Sequence, residues 1–165
     1  NYDTFLHNEV RAWMISKYHA SSKPNHFGVM GLSMGGFGAV LQGIKHPQDY
    51  AAAASLSGVM DITRHTENWK LYKALGPYDT HAKVWEQNNP LHLTQKKRAA
   101  STPPLLLICG QEDFTFQENL DLVAKMESLN FSIEFKAEEG AHTHLFWKTH
   151  VDAAIAFISS HFPEF

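Results

Sequence analysis

The chain has 165 residues, a length suited to one compact domain with a single core, and 44% of its residues are hydrophobic against 19% charged. A formal net charge of -3 offers no concentrated basic face for nucleic acid, and no apolar run approaches the ~20 residues that a membrane span needs. The one basic run, Lys96 to Arg98, reads as solvated surface, and a single cysteine, Cys109, excludes an internal disulfide or a cysteine-rich metal site.

Leu6, Val10, Trp13, Met14 and Tyr18 recur at helical spacing and predict a helix over residues 4–19, capped by Asp3 or Thr4. A polar turn over 21–25 leads into the apolar run 27–32, which has strand length. Phe37, Val40, Leu41 and Ile44 stand at i, i+3, i+4 and i+7, the spacing of a second helix that Pro47 ends. Residues 50–56 are small and apolar and predict a buried strand with little room beside it. Residues 61–101 break the rhythm. They hold Trp69, Tyr72, Tyr78 and Trp85 and read as an insertion packed over one end of the sheet.

The continuous apolar run 105–109, after Pro103 and Pro104, predicts a central parallel strand. A helix over 117–129 follows, with Leu122, Met126 and Leu129 on one face. Ile133 and Phe135 lie in the last strand, and Val151, Ala154, Ile155, Ile158 and Phe162 mark a final amphipathic helix. Strands and helices alternating in this way imply right-handed crossover units. The expected fold is a single α/β domain with a parallel sheet covered on both faces.

Gly31-Leu32-Ser33-Met34-Gly35 fits the pattern G-x-S-x-G, with a strand before it and a helix after it. A serine on such a sharp turn needs small neighbours two residues away. The turn lifts its hydroxyl above the sheet and places the amide of Met34, at a helix N-terminus, to donate to a developing oxyanion. An alcohol loses its proton at neutral pH only to an adjacent base. Asp113 follows the 105–109 strand and His142 follows the last strand, so both fall at carboxyl ends of strands, where open α/β sheets build their sites. His142 is the expected base, and Asp113 the acid that fixes its tautomer. Glu112 is the rival acid and His144 the rival base. His142 and His144 lack a third ligand at useful spacing, so no metal is expected. Aromatic faces pack on acyl or sugar groups, which makes Trp69, Tyr72 and Trp85 candidates for the substrate wall.

Four blocks, Gly31 to Ala39, Leu56 to Gly58, Cys109 to Phe114 and Gly140 to Trp147, resemble the esterase D-like family of serine esterases, nearest its tributyrin esterase branch. That family also holds S-formylglutathione hydrolases, feruloyl esterases and mycolyl transferases. The resemblance implies an α/β-hydrolase fold and a catalytic Ser33, Asp113 and His142. It further implies hydrolysis, without a cofactor, of an ester of a short acyl group with a small alcohol or sugar. Two alternatives stand beside this: acyl transfer of the mycolyl-transferase type, and a non-catalytic ligand-binding module on the same scaffold. In the last block Trp147 matches the family pattern, whereas His144 replaces a tryptophan and changes the wall beside the base. Such enzymes begin with further strands and a loop supplying a second oxyanion amide. The chain is therefore expected to be the C-terminal part of a longer enzyme, with a missing N-terminal segment or another copy covering the open sheet edge.

Overall fold

Four short apolar segments joined by helices are satisfied by a parallel sheet with helices on both faces, because each crossover needs a helix to return the chain. The computed structural model describes residues 2–94 and 99–163 and has this architecture; Lys96 to Arg98 lie outside the described residues. The strands β1 (Phe27–Leu32), β2 (Tyr50–Leu56), β3 (Leu105–Gly110) and β4 (Ile133–Glu138) lie side by side in sequence order, all parallel. Register pairs such as Leu32 with Leu56 and Leu56 with Ile108 align their carboxyl ends.

The helices are, in chain order, α1 (Tyr2–Thr4), α2 (Arg11–Tyr18), α3 (Met34–Lys45), α4 (Tyr72–Leu75), α5 (Tyr78–Glu86), α6 (Pro90–Leu93), α7 (Phe116–Ser128) and α8 (His144–Ser160). A π-helical stretch, Phe5–Val10, joins α1 to α2, and short 3-10 turns occupy Ile62–His65 and Ala99–Ser101. Two boundaries differ from expectation. Neither Asp3 nor Thr4 caps the first helix, because helical structure already begins at Tyr2. The Asp3 carboxylate instead accepts from Gln42 Nε2 (2.7 Å) and meets His46 Nε2 (3.0 Å), tying the N-terminal helix to α3. The last helix starts at His144, well before Val151. Thr143 caps it by accepting from the amide of Phe146, and Phe146 and Trp147 add buried residues to its inner face.

Alternation along β3 sorts the core into two layers. Leu105 and Leu107 face Val40, Ile44, Leu122 and Met126 of α3 and α7, while Leu106 and Ile108 face Phe146, Trp147, Ala154 and Ile158 of α8. Each fully buried aliphatic side chain contributes about 1.5–3 kcal/mol. β2 lies between two strands and two helix layers. Its Ala51, Ala52, Ala53 and Ala54 are all buried and leave room for helices on either side.

A third cluster of Val59, Ile62 and Trp85 holds the short helices that follow β2. The buried Asp61 carboxylate organises that region, accepting from Thr63 N (3.1 Å), Thr63 Oγ1 (2.5 Å) and Asn89 Nδ2 (2.7 Å). Burial pushes the Asp61 carboxyl upward, but the bonds from Thr63 and Asn89 and the charge of Arg64 outweigh it and hold the group below its ordinary value. A carboxyl depressed in the folded state adds stability above its unfolded value of about 3.9, and that stability is lost as pH falls through the depressed value. Thermal unfolding at a series of pH values should therefore show Asp61→Asn less stable than the parent at neutral pH, with a flatter decline below pH ~4. Parallel acid limbs for the two proteins would rule this role out.

Candidate active site

The sharp turn between β1 and α3 places Ser33 at φ 52°, ψ -117°, a conformation that a side chain rarely adopts. The turn is fixed by the sheet, since the Ser33 amide donates to Leu56 O at 2.8 Å. A Cβ on Gly31 would lie 2.4 Å from the carbonyl carbon of Gly35, and one on Gly36 would lie 2.4 Å from Ser55 Oγ. The demand for small residues thus falls on Gly31 and Gly36. At Gly35 and Gly38 a Cβ would meet no described atom within 4 Å, which corrects the expectation that Gly35 is sterically required. Met34 opens α3, so its amide is among the helix's N-terminal donors, which have no carbonyl partner within the helix.

Asp113 sits in the turn after β3, and His142 in the loop after β4. The structure brings both to Ser33. Ser33 Oγ lies 2.8 Å from His142 Nε2, and His142 Nδ1 lies 2.9 Å from Asp113 Oδ2 and 3.0 Å from Oδ1. The Asp113 side chain is wholly shielded from solvent, whereas that of His142 keeps 21% exposure. Thr115 fixes the carboxylate by donating to Oδ1 from both its amide and its hydroxyl, each at 2.9 Å. With a carboxylate against Nδ1, the proton belongs on Nδ1, and Nε2 is left to accept from the serine.

The two rivals are occupied otherwise. Glu112 accepts from the Gly140 amide at 2.5 Å and donates its own amide to Gly140 O, tying the Asp113 turn to the His142 loop. His144 is exposed at the start of α8 and meets Trp147 edge-on at 5.0 Å. Cys109 is no rival nucleophile either, because burial pushes its thiol up to about 12.

Of the candidate wall residues, Trp69 and Tyr72 are exposed, and Tyr72 lines a shallow cavity of about 230 Å³ with Tyr78, Glu67 and Asp79. Trp85 does not belong to the wall: it is fully buried with Val59 and Ile62, and its indole N–H donates to Gly76 O at 2.9 Å. Trp147 is also buried. It packs edge-on at 4.9 Å against His142 and so braces the imidazole rather than facing substrate. Thr115, Glu118, His65 and Phe114 also lie at this end of the sheet, and no motif in the sequence gives them a role. Thr115 was detectable, since a hydroxyl two residues after a buried Asp commonly bonds back to it. Away from this end of the sheet, His7, His46 and Asp49 come within ligand reach of one another. The two rings are stacked at 3.7 Å, His7 Nδ1 lies 3.5 Å from Asp49 Oδ2, and Arg11 pairs with Asp49 at 2.8 Å.

The parallel sheet, the strained serine between β1 and α3, and the carboxylate and histidine after β3 and β4 define an α/β-hydrolase fold. The chain belongs to the Esterase family, whose sequence model, described as "Putative esterase", matches residues 1–158. It is similar to an acetyl esterase of Caldicellulosiruptor saccharolyticus, at 26% identity over 94% of this chain and 62% of that protein. A diacylglycerol acyltransferase/mycolyltransferase of Mycobacterium leprae is 31% identical over 66% of this chain and 36% of its own length. The structure superposes on an S-formylglutathione hydrolase of Staphylococcus aureus with a TM-score of 0.79, at 25% identity, covering 91% of this chain and 61% of that one. The chain thus spans about three fifths of the length of the acetyl esterase and of the S-formylglutathione hydrolase. No helix among the described residues is long and apolar enough to cross a membrane.

Proposed function

We propose that this chain carries the nucleophile, base and acid of a serine hydrolase of carboxylic esters. The observation that supports this best is the continuous hydrogen-bonded line from Ser33 Oγ through the His142 ring to the buried Asp113 carboxylate. His142 Nε2 takes the hydroxyl proton as Oγ attacks the ester carbonyl, and the carbonyl oxygen gains negative charge beside the Met34 amide. Collapse expels the alcohol, protonated by His142, and leaves an acyl group on Ser33. Water, activated by the same imidazole, then releases the acid. These steps need no cofactor.

We assign the substrate to esters of a short acyl group with a small alcohol or sugar, in keeping with the resemblance of the four sequence blocks to the tributyrin esterase branch. Similarity to an acetyl esterase points the same way. The test is covalent labelling of the folded full chain by a fluorophosphonate probe, followed by peptide mass mapping. A label on Ser33, lost in Ser33→Ala, is the expected result, and a folded protein that takes no label there sinks the reading. Acyl transfer is a second reading, favoured by similarity to the mycolyltransferase and using the same three residues. Product analysis with competing alcohol acceptors separates transfer from hydrolysis.

A further inference from the structure

Phe114 follows the buried Asp113 in sequence yet is 54% exposed, and its ring lies 4.6 Å from that of His142. Trp69, 48% exposed, lies 6.3 Å from Phe114, and the His65 ring bridges them, 4.9 Å from Trp69 and 6.2 Å from Phe114. Neither Phe114 nor Trp69 joins any of the three core clusters. These are large apolar faces left open beside the base.

The elements that carry these rings are anchored. His65 Nε2 is paired with the buried Glu118 carboxylate, whose other oxygen accepts from the amides of Met60 and Asp61 at 3.0 Å each. Trp69 and Lys70 are consecutive non-glycine residues at φ 50° and 56°, a backbone state that costs free energy and persists only where surroundings enforce it. The Phe114 backbone belongs to the turn that presents Asp113 to His142, in which Asp113 N donates to Gly110 O and Phe116 N to Asp113 O.

We propose that Phe114, Trp69 and His65 form an aromatic shelf that receives the alcohol half of the ester and favours alcohols bearing a flat-faced ring. The proposal rests on the ester-hydrolase reading above. The side of the site follows from the proton path. The acyl carbon bonds to Ser33 Oγ and its oxygen turns to Met34, whereas the leaving oxygen must approach His142 Nε2 to be protonated. A substituent on that oxygen therefore passes the imidazole, where Trp147 is buried and Phe114 is the open face. Both an aryl ring and a pyranose present an apolar face that packs on aromatic side chains.

The test compares kcat/KM of the full chain for phenyl acetate, an acetylated xylose, ethyl acetate and ethyl benzoate. The proteins are the parent, Phe114→Ala, Phe114→Leu and Trp69→Ala. Dividing each variant by its parent cancels the intrinsic reactivity of each leaving group. The ratio of a ring-bearing acetate to ethyl acetate should fall about tenfold in Phe114→Ala and by less in Phe114→Leu, which keeps apolar bulk in a folded protein. A fall on phenyl acetate alone assigns an aryl alcohol, and one on the xylose ester alone assigns a sugar. Unchanged ratios in all three variants, with Ser33-dependent turnover intact, overturn the shelf. A loss confined to ethyl benzoate moves the shelf to the acyl side and overturns the assignment made here. Absence of any Ser33-dependent turnover in the parent removes the hydrolase reading and the shelf together.

Discussion

Replacing Ser33 by alanine is expected to lower ester turnover by about 10⁴- to 10⁶-fold, while the protein keeps its fold. The expectation follows from the division of labour at the turn. In the proposed mechanism the hydroxyl supplies the covalent step, and the remaining oxyanion and binding contacts would still favour attack by water to a small degree. Ser33 contributes little to packing, and its backbone is held by the bond from its own amide to Leu56, which alanine retains. Steady-state kinetics on a short acyl ester, with circular dichroism of both proteins, checks the prediction. A variant within tenfold of the parent would show that Ser33 is not the nucleophile.

Asp113→Asn should be nearly as damaging, about 10⁴-fold in kcat, and for a different reason. The carboxylate accepts from His142 Nδ1 and from Thr115, so both of its oxygens act as acceptors. An asparagine must present one NH2 group. Thr115 still holds Oδ1 by two donors, so the amide nitrogen falls toward His142 and donates to Nδ1. The imidazole proton is then driven to Nε2, where it blocks acceptance from Ser33. Proton NMR of the imidazole, together with kcat across pH, should reveal the switched tautomer and the loss of turnover. An unaltered rate would assign the acid's role elsewhere, with Glu112 the first residue to test.

The strands and α3 were legible because apolar runs of strand length, bounded by glycine and proline, leave little choice of element. Ser33, Asp113 and His142 were legible for a related reason: each stands just past a strand, and parallel strands in sequence order carry such positions to the same end of the sheet. What sequence could not rank was exposure among aromatics. Trp69 and Trp85 look alike in a stretch of mixed polarity, yet one is open and the other is the centre of a cluster, because only Trp85 meets Val59 and Ile62. Contacts across long separations were equally hidden. Asp3 looked like a helix cap, but its carboxylate finds Gln42, 39 residues away, and that donor exists only once α3 has docked. His65 and Glu118, 53 residues apart, meet only after β3 has carried the chain back across the sheet.

The left-handed backbone at Ser33 also shapes how this sequence can drift. At φ 52° a glycine would be less strained than any L-residue, so under the proposed mechanism backbone strain and the reactive hydroxyl meet at one residue. In a gene copy released from selection for turnover, substitution to glycine would relieve this backbone strain, against the greater chain entropy that glycine loses on folding. Selection for stability alone would therefore remove the hydroxyl early and leave the surrounding scaffold unchanged.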